Sequence, residues 1–418
     1  TNEAYDLFIR DTCMRYIPDP ACTVATIRAV MGIGGTEPNG DIGWTETSPE
    51  GSLAVSFNGR YVAFVSSADN LVTNDTNGVD DVFLVDTCIE IYPERTCVPG
   101  VIRVSVGNDG SQTTMPASHP ALADDGRYVF FVSEDPTLVA GDSNGVADVF
   151  LRDTCRGAGA GCSPSTVRVS VTNAGGQANG ASGEPAFTGR YVAFTSHASN
   201  LVQGDTNGVQ DVFLRDTCIG APDCVATSTR LVSVGHLGEP ADGASSDPQV
   251  SYGMSDMQGH DYHGRFVAFV SSATNLVAED TNGALDVFRR DTCTNEPGCM
   301  PSTILVSMTS TGAQIPGDSW SPDFIAWYGG NIPFVTAADG VVPEDTNGLK
   351  DVYEWSGSTR RVSVGADGAQ TDGASYAPRL SHSMFGPWAI TYISEASNIL
   401  PDAEEIPNNG NIYLDLNY

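Results

Sequence analysis

A chain of 418 residues, 40% of them hydrophobic, can bury a sizeable core, yet it has no apolar run near the roughly 18 residues that a bilayer span needs. Its 52 acidic against 20 basic residues leave a formal charge of −32, which repels phosphate backbones and disfavours nucleic acid while suiting cations. A start at Thr1 rather than Met fits an export signal already removed.

In chain order, two short strands are predicted first, at 5–11 and 23–30. A phrase then recurs. Asp-x-Asn-Gly-x-x-Asp-Val-Phe/Tyr begins at Asp75, Asp142, Asp205, Asp280 and Asp345, at intervals of 67, 63, 75 and 65 residues. Such periods signal one supersecondary unit copied and stacked. The repeats fall at about 1–43 (partial), 44–114, 115–181, 182–244, 245–319, 320–374 and 375–418, read as one domain spanning 1–418.

The copy at 182–244 shows the unit: strands at 184–187, 190–196, 212–215 and 229–234, with no segment of helical period. Four consecutive antiparallel strands per repeat predict an all-β fold, a β-propeller of four-stranded antiparallel blades. Six blades are expected, with seven as the alternative, closed by N- and C-terminal strands. The strand count is 25, one more than six complete blades require. The spare terminal strand is a template for pairing with a second copy.

The strand Gly59-Arg60-Tyr61-Val62-Ala63-Phe64, followed by a polar loop and Asp-Val-Phe-x-x-Asp, resembles the TolB-type (WD40-like) propeller repeat of exported bacterial proteins. The likeness runs from about Tyr5 to the end. It implies the fold and is nearly silent on activity. Two repeats depart from it: Asn331-Ile332-Pro333-Phe334 replaces the strand motif in the fifth, and Pro387-Trp388-Ala389-Ile390 in the sixth, whose acidic loop degenerates at 402–411.

The ten cysteines form close pairs: Cys13/Cys22, Cys88/Cys97, Cys155/Cys162, Cys218/Cys224 and Cys293/Cys299. Zinc would call for Cys-x-x-Cys spacing with histidine partners. A matched pair recurring at one place in four repeats, with a fifth pair near the N-terminus and none in the fifth repeat, predicts a local disulfide at each pair, hence an oxidising compartment and a secreted or cell-surface protein.

The recurring loops are the candidate metal sites. Calcium takes six to eight hard oxygen ligands, and each loop offers three oxygen-bearing side chains: Asp75/Asn77/Asp81, Asp142/Asn144/Asp148, Asp205/Asn207/Asp211, Asp280/Asn282/Asp286 and Asp345/Asn347/Asp351. Several structural Ca2+ ions are expected, magnesium fitting less well. The alternative is an Asn-Gly turn with Asx hydrogen bonds and no ion.

No catalytic residue is assigned. His260 and His263 with Asp256 or Asp261 lie in an insertion at 256–263 that only the fourth repeat carries, and a solvated loop is the simpler reading. The arginine of Gly-Arg-Tyr/Phe (Arg60, Arg127, Arg190, Arg265) is expected to pair with a nearby acid. Two functions stand: a non-catalytic, calcium-stabilised extracellular propeller that binds a surface protein or glycan or assembles with itself, and a secreted polysaccharide hydrolase or lyase.

Overall fold

The computed structural model describes residues 4–11, 25–43, 52–56, 58–89, 97–253, 262–323, 330–381, 389–399 and 411–416. They hold twenty-five strands, as the sequence predicts, with one 3-10 turn at Ile33–Gly35. Among the described residues no helix is long and apolar enough to cross a membrane. The sheets are antiparallel and propeller-like: five of four strands, one of three and one of two.

The chain divides into two compact units, 1–187 and 188–418. In the first, Phe8–Asp11 pairs with Ala25–Arg28. Two four-stranded sheets follow, Leu53–Val55, Tyr61–Ser66, Asp81–Asp86 and Gly100–Arg103, then Ala117–Leu122, Tyr128–Ser133, Asp148–Asp153 and Ser165–Arg168. The division falls within Ser182–Thr188, which heads the order of the third four-stranded sheet. The second unit holds the rest of that sheet (Tyr191–Ser196, Asp211–Asp216, Ser228–Leu231) and two further complete sheets, Ser245–Val250 to Ser302–Leu305 and Ser319–Trp320 to Thr359–Arg361. Its last sheet has three strands, Ser375–Ser381, Ala389–Ser394 and Asn411–Leu416.

One hairpin is the constant of every full repeat. Tyr61 lies opposite Asp86 and Ser66 opposite Asp81, and the same register recurs as Tyr128↔Asp153, Tyr191↔Asp216 and Phe266↔Asp291. Tyr61–Ser66 and Asp81–Asp86 are buried along their whole length, so their apolar runs are continuous rather than alternating. Cross-strand rings lock the register: Phe64–Phe83, Phe131–Phe150, Phe194–Phe213, Phe269–Phe288 and Phe334–Tyr353, with centroids 5.6–5.9 Å apart.

The core lies between consecutive sheets. In the first unit Tyr61, Ala63 and Leu84 pack with Val129, Phe131 and Phe150 of the next repeat. In the second, Phe266 and Val287 pack with Phe334 and Tyr353, and Val335 and Val352 pack with Ile390 and Tyr392. Full burial of each such side chain stabilises by about 1.5–3 kcal/mol.

Two local features differ from the sequence reading. The fourth strand of the third repeat, expected to reach residue 234, ends at Leu231 because the backbone turns at Ser233, whose hydroxyl faces the preceding strand. The first strands also carry a kink. Their pairing slips between Ser118 and Ala121, between Ser246 and Gln249, and between Tyr376 and Arg379. At that place His119, Glu184, Asp247, Ser321 and Ala377 have φ between 48° and 51°, each just before a proline. A residue before proline ordinarily favours extended backbone, so these left-handed positions are strained.

Candidate cation-binding loops

Each acidic loop joins the two buried strands of its hairpin, and its Asn-Gly pair makes the turn: Gly78, Gly145, Gly208, Gly283 and Gly348 all have positive φ. The seventh-position aspartate opens the following strand and is wholly buried, as Asp81, Asp148, Asp211, Asp286 and Asp351. Such a carboxylate needs partners, since an unpaired buried charge costs several kcal/mol.

The first partner is a serine that sequence reading passed over. Ser105 Oγ donates to Asp81 Oδ1 at 2.5 Å and accepts the Val82 N–H at 3.1 Å. Ser170, Ser233, Ser307 and Ser363 repeat the bond to Asp148, Asp211, Asp286 and Asp351 at 2.5–2.6 Å. The signal was the serine in each Arg/Leu-Val-Ser-Val/Met segment, read only as part of a strand.

The second partner is the loop asparagine, expected from the sequence to offer its oxygen to an ion. Asn77 Nδ2 donates to Asp81 Oδ2 at 2.8 Å and to Thr113 O at 3.1 Å. Asn144, Asn207 and Asn282 make the same pair of bonds. Their carbonyls accept the N–H two residues on, as Val209 N–H does to Asn207 Oδ1 at 3.3 Å, an Asx turn. These three therefore bridge to the aspartate through N–H and turn their oxygens to the backbone. Asn347 departs from both the expectation and the other copies. Its Nδ2 donates to Thr371 O at 2.8 Å and its Oδ1 accepts the Leu349 N–H at 3.1 Å, so its oxygen is engaged by the Asx turn rather than facing Asp345 and Asp351 as an ion ligand would. No Asn347 bond reaches Asp351. The Thr371 hydroxyl donates to Asp351 Oδ1 at 2.9 Å, while Oδ2 is buried without a hydrogen-bond partner among the described residues. Nη1 of the Arg361 guanidinium stands 3.7 Å from that oxygen.

That guanidinium is the third partner, and it divides the loops. In the first repeat Arg103 Nη2 lies 2.8 Å from Asp75 and its Nε 3.4 Å from Asp81. In the second, Arg168 Nη1 lies 2.9 Å from Asp142 and 3.1 Å from Asp148. In the fifth, Arg361 Nη1 stands 3.8 and 3.7 Å from Asp345 and Asp351, and Tyr353 donates its hydroxyl to Asp345 at 2.5 Å. A guanidinium thus neutralises both carboxylates in these loops. The third and fourth repeats have Leu231 and Leu305 at that register position, opposite Phe213 and Phe288. The third repeat also has Pro240 where Gln112, Gln177, Gln314 and Gln370 stand in the other bridges. Asp280 still receives Gln314 Nε2 at 3.3 Å, whereas Asp205, buried at 7% exposure, is held by the Asn207 backbone N–H.

The electrostatics follow. Burial, against the Ser233 and Asn207 hydrogen bonds and helped by the Asp205 charge, pushes Asp211 up to about 6. Burial likewise pushes Asp286 up to about 6. Asp205 and Asp280 are also raised by burial, and so are Asp75, Asp142 and Asp351, where Arg103, Arg168 and Arg361 oppose the shift.

The other recurrent charges are structural. Arg60 Nε and Nη2 both reach Asp86 at 2.8 Å, and Arg127 grips Asp153 at 2.9 and 2.8 Å. Arg190 pairs with Asp216 at 2.9 Å and Arg265 with Asp291 at 3.1 Å, as the sequence predicts. Burial would raise Asp86 and Asp153, but these arginines and the N–H groups of Cys88 and Cys155 hold both below the ordinary carboxylate value. Each aspartate sits beside a disulfide: Cys88–Cys97, Cys155–Cys162, Cys218–Cys224 or Cys293–Cys299, with Cα atoms 5.5–5.8 Å apart. Four expected bridges are therefore formed; Cys13/Cys22 lies outside the described residues. Asp256, His260 and Asp261 also lie outside them. His263 packs against Tyr252, ring centroids 5.4 Å apart.

No family model matches the chain, and no curated protein matches it. Among solved structures it is similar to Pyrococcus horikoshii acylaminoacyl peptidase, at 9% identity and TM-score 0.44, over 94% of this chain and 45% of that one. A puromycin-hydrolysing peptidase of Mycobacterium tuberculosis is similar at 10% identity and TM-score 0.38, over 88% and 45%. A polysaccharide lyase, an ulvan lyase, matches at 9% and 0.38, over 91% and 78%. The chain spans less than half the length of the two peptidases. Likeness at this level carries no functional argument.

Proposed function

We propose that this chain is an extracellular, TolB-type propeller protein of the binding or structural kind, stiffened by local disulfides and by divalent cations, calcium in first place, in its third and fourth repeats. The supporting observation is the buried pair Asp205/Asp211, which lacks the arginine that Asp75/Asp81 and Asp142/Asp148 possess. Asp205 and Asp211, and Asp280 and Asp286 in the next repeat, would hold the ion. Bound there, it supplies the positive charge that a guanidinium supplies elsewhere, a structural role rather than a catalytic one. The same argument turns the first, second and fifth loops, with Asn77, Asn144 and Asn347, toward the ion-free turn.

Disulfides fit an oxidising environment and support the extracellular placement. The partner proposed is a surface protein or glycan, or a second copy adding a strand at Asn411–Leu416, the last strand in the order of a three-stranded sheet. Isothermal titration of the chelator-treated protein with calcium tests the ion. Saturable binding that D205N and D280N remove supports the reading, and heat changes unaltered by both substitutions would overturn it.

A further inference from the structure

Consecutive repeats do not close against each other in the same way. In the first unit, Asn108 seals the contact between its turn and the last strand of the second repeat. Its Nδ2 donates to Thr166 O at 2.8 Å, and its Oδ1 accepts the Thr166 N–H at 2.7 Å. The Thr166 hydroxyl donates to Val106 O at 2.7 Å while accepting Arg152 Nη1 at 3.0 Å.

In the second unit the equivalent turn is Gly235–Gly238, and His236 stands where Asn108 would. Its backbone N–H and its Nδ1 both engage Asn275 O at 2.9 Å, and among the described residues it makes no hydrogen bond to the strand Ser302–Leu305 like that of Asn108 to Thr166. A cavity of about 460 Å³ remains, lined by residues 235–238, 276–278 and 301–303 and by Arg290. That lies within the roughly 300–1,000 Å³ typical of small-molecule sites. Arg290 is the counterpart of Arg152. Its Nη1 donates to Thr303 Oγ1 at 2.8 Å, and it forms no salt bridge among the described residues. With no carboxylate paired to it directly among the described residues, the Arg290 guanidinium is a local attraction for an anion, set against the overall charge of −32. Burial lowers the Arg290 pKa against the opposing Asp291 charge, as it lowers that of Arg152 against Asp153.

The walls narrow the ligand class. Leu237, Leu276, Val277, Ala278 and Pro301 contribute apolar surface. The cavity is far larger than one inorganic ion, and the overall charge disfavours a polyanion. We propose that this cavity binds a small organic monocarboxylate, its carboxylate on the Arg290 fork and the Thr303 hydroxyl and its apolar body against Leu237, Val277 and Pro301. This site is independent of the acidic loops.

Benzoate is a direct probe, with neutral benzamide and sodium sulfate as controls, observed by saturation-transfer NMR and titration calorimetry on the intact chain. Saturable benzoate binding is expected, with benzamide at least tenfold weaker and sulfate unable to displace benzoate at equal concentration. R290Q should weaken benzoate at least tenfold. Because R290Q can affect folding, A278W, placed on the exposed rim with Arg290 intact, gives a second route and should also abolish binding in a protein that melts like the parent. Absence of benzoate binding, equal affinity for benzamide, displacement by equal sulfate, or unchanged affinity in folded R290Q or A278W would overturn the proposal.

Discussion

The acidic loops of the first and third repeats have one backbone and two electrostatic solutions. At 75–81 a buried carboxylate pair shares Arg103, in a site where both partners are under 10% exposed. At 205–211 the same pair, serine clamp and asparagine bridge occur with Leu231 at the register position of Arg103. One substitution on a neighbouring strand converts an internally neutralised loop into one that needs a proton or an external cation. A repeat motif therefore specifies geometry, while a residue some 25 positions away decides the chemistry.

The strongest way to break the comparison is to convert the first loop into the third. R103L should cost about 3–5 kcal/mol, because it leaves Asp75 and Asp81 buried without their cation. Denaturant melts without divalent ions measure it. A loss under about 1 kcal/mol, the scale of an exposed pair, would mean that the guanidinium is dispensable.

Next comes the serine clamp. Removing a hydrogen bond to a buried carboxylate costs about 1.5–3 kcal/mol. S233A should fall at the upper end and S105A at the lower, since Asp81 keeps Arg103 while Asp211 keeps only Asn207. Equal losses would erase the distinction between the loops.

A smaller effect is the pH profile. Asp211 and Asp286 have folded values of about 6 against an ordinary 3.8. Between those values the folded state keeps protons that the unfolded chain has released, so ion-free stability should fall as pH rises from about 4 through about 6, then level off. Folded D211N/D286N, melted without divalent ions, should lose most of that slope. An unchanged slope would assign the titration elsewhere.

The strands were legible because the copies confirm each other: Gly-Arg-Tyr-Val-Ala-Phe and Asp-Val-Phe mark the buried hairpin at a fixed register, and the Arg60–Asp86 pair and the cysteine bridges follow from the same alignment of repeats. What lay hidden were contacts between segments far apart in the chain. Ser105 reaches Asp81 across 24 residues, and Arg103 looks like an ordinary strand residue until the pairing Phe83↔Arg103 places it over the loop. The loop asparagines were legible as residues but not as bonds: Asn207 and Asn347 read identically in sequence, yet one bridges to its aspartate and the other does not. The first-strand kink was hidden differently: the recurring proline was visible, but the left-handed backbone before it, at His119 and Glu184, has no local sequence signature.

Calcium-dependent melting of the wild-type chain and of L231R/L305R at about pH 7.5, above the raised carboxylates, tests the central claim most directly. The account predicts that calcium raises the wild-type midpoint and chelator reverses it, while the double variant is stabilised without calcium and does not respond. A wild-type midpoint indifferent to calcium, or an equal response in the double variant, would contradict it.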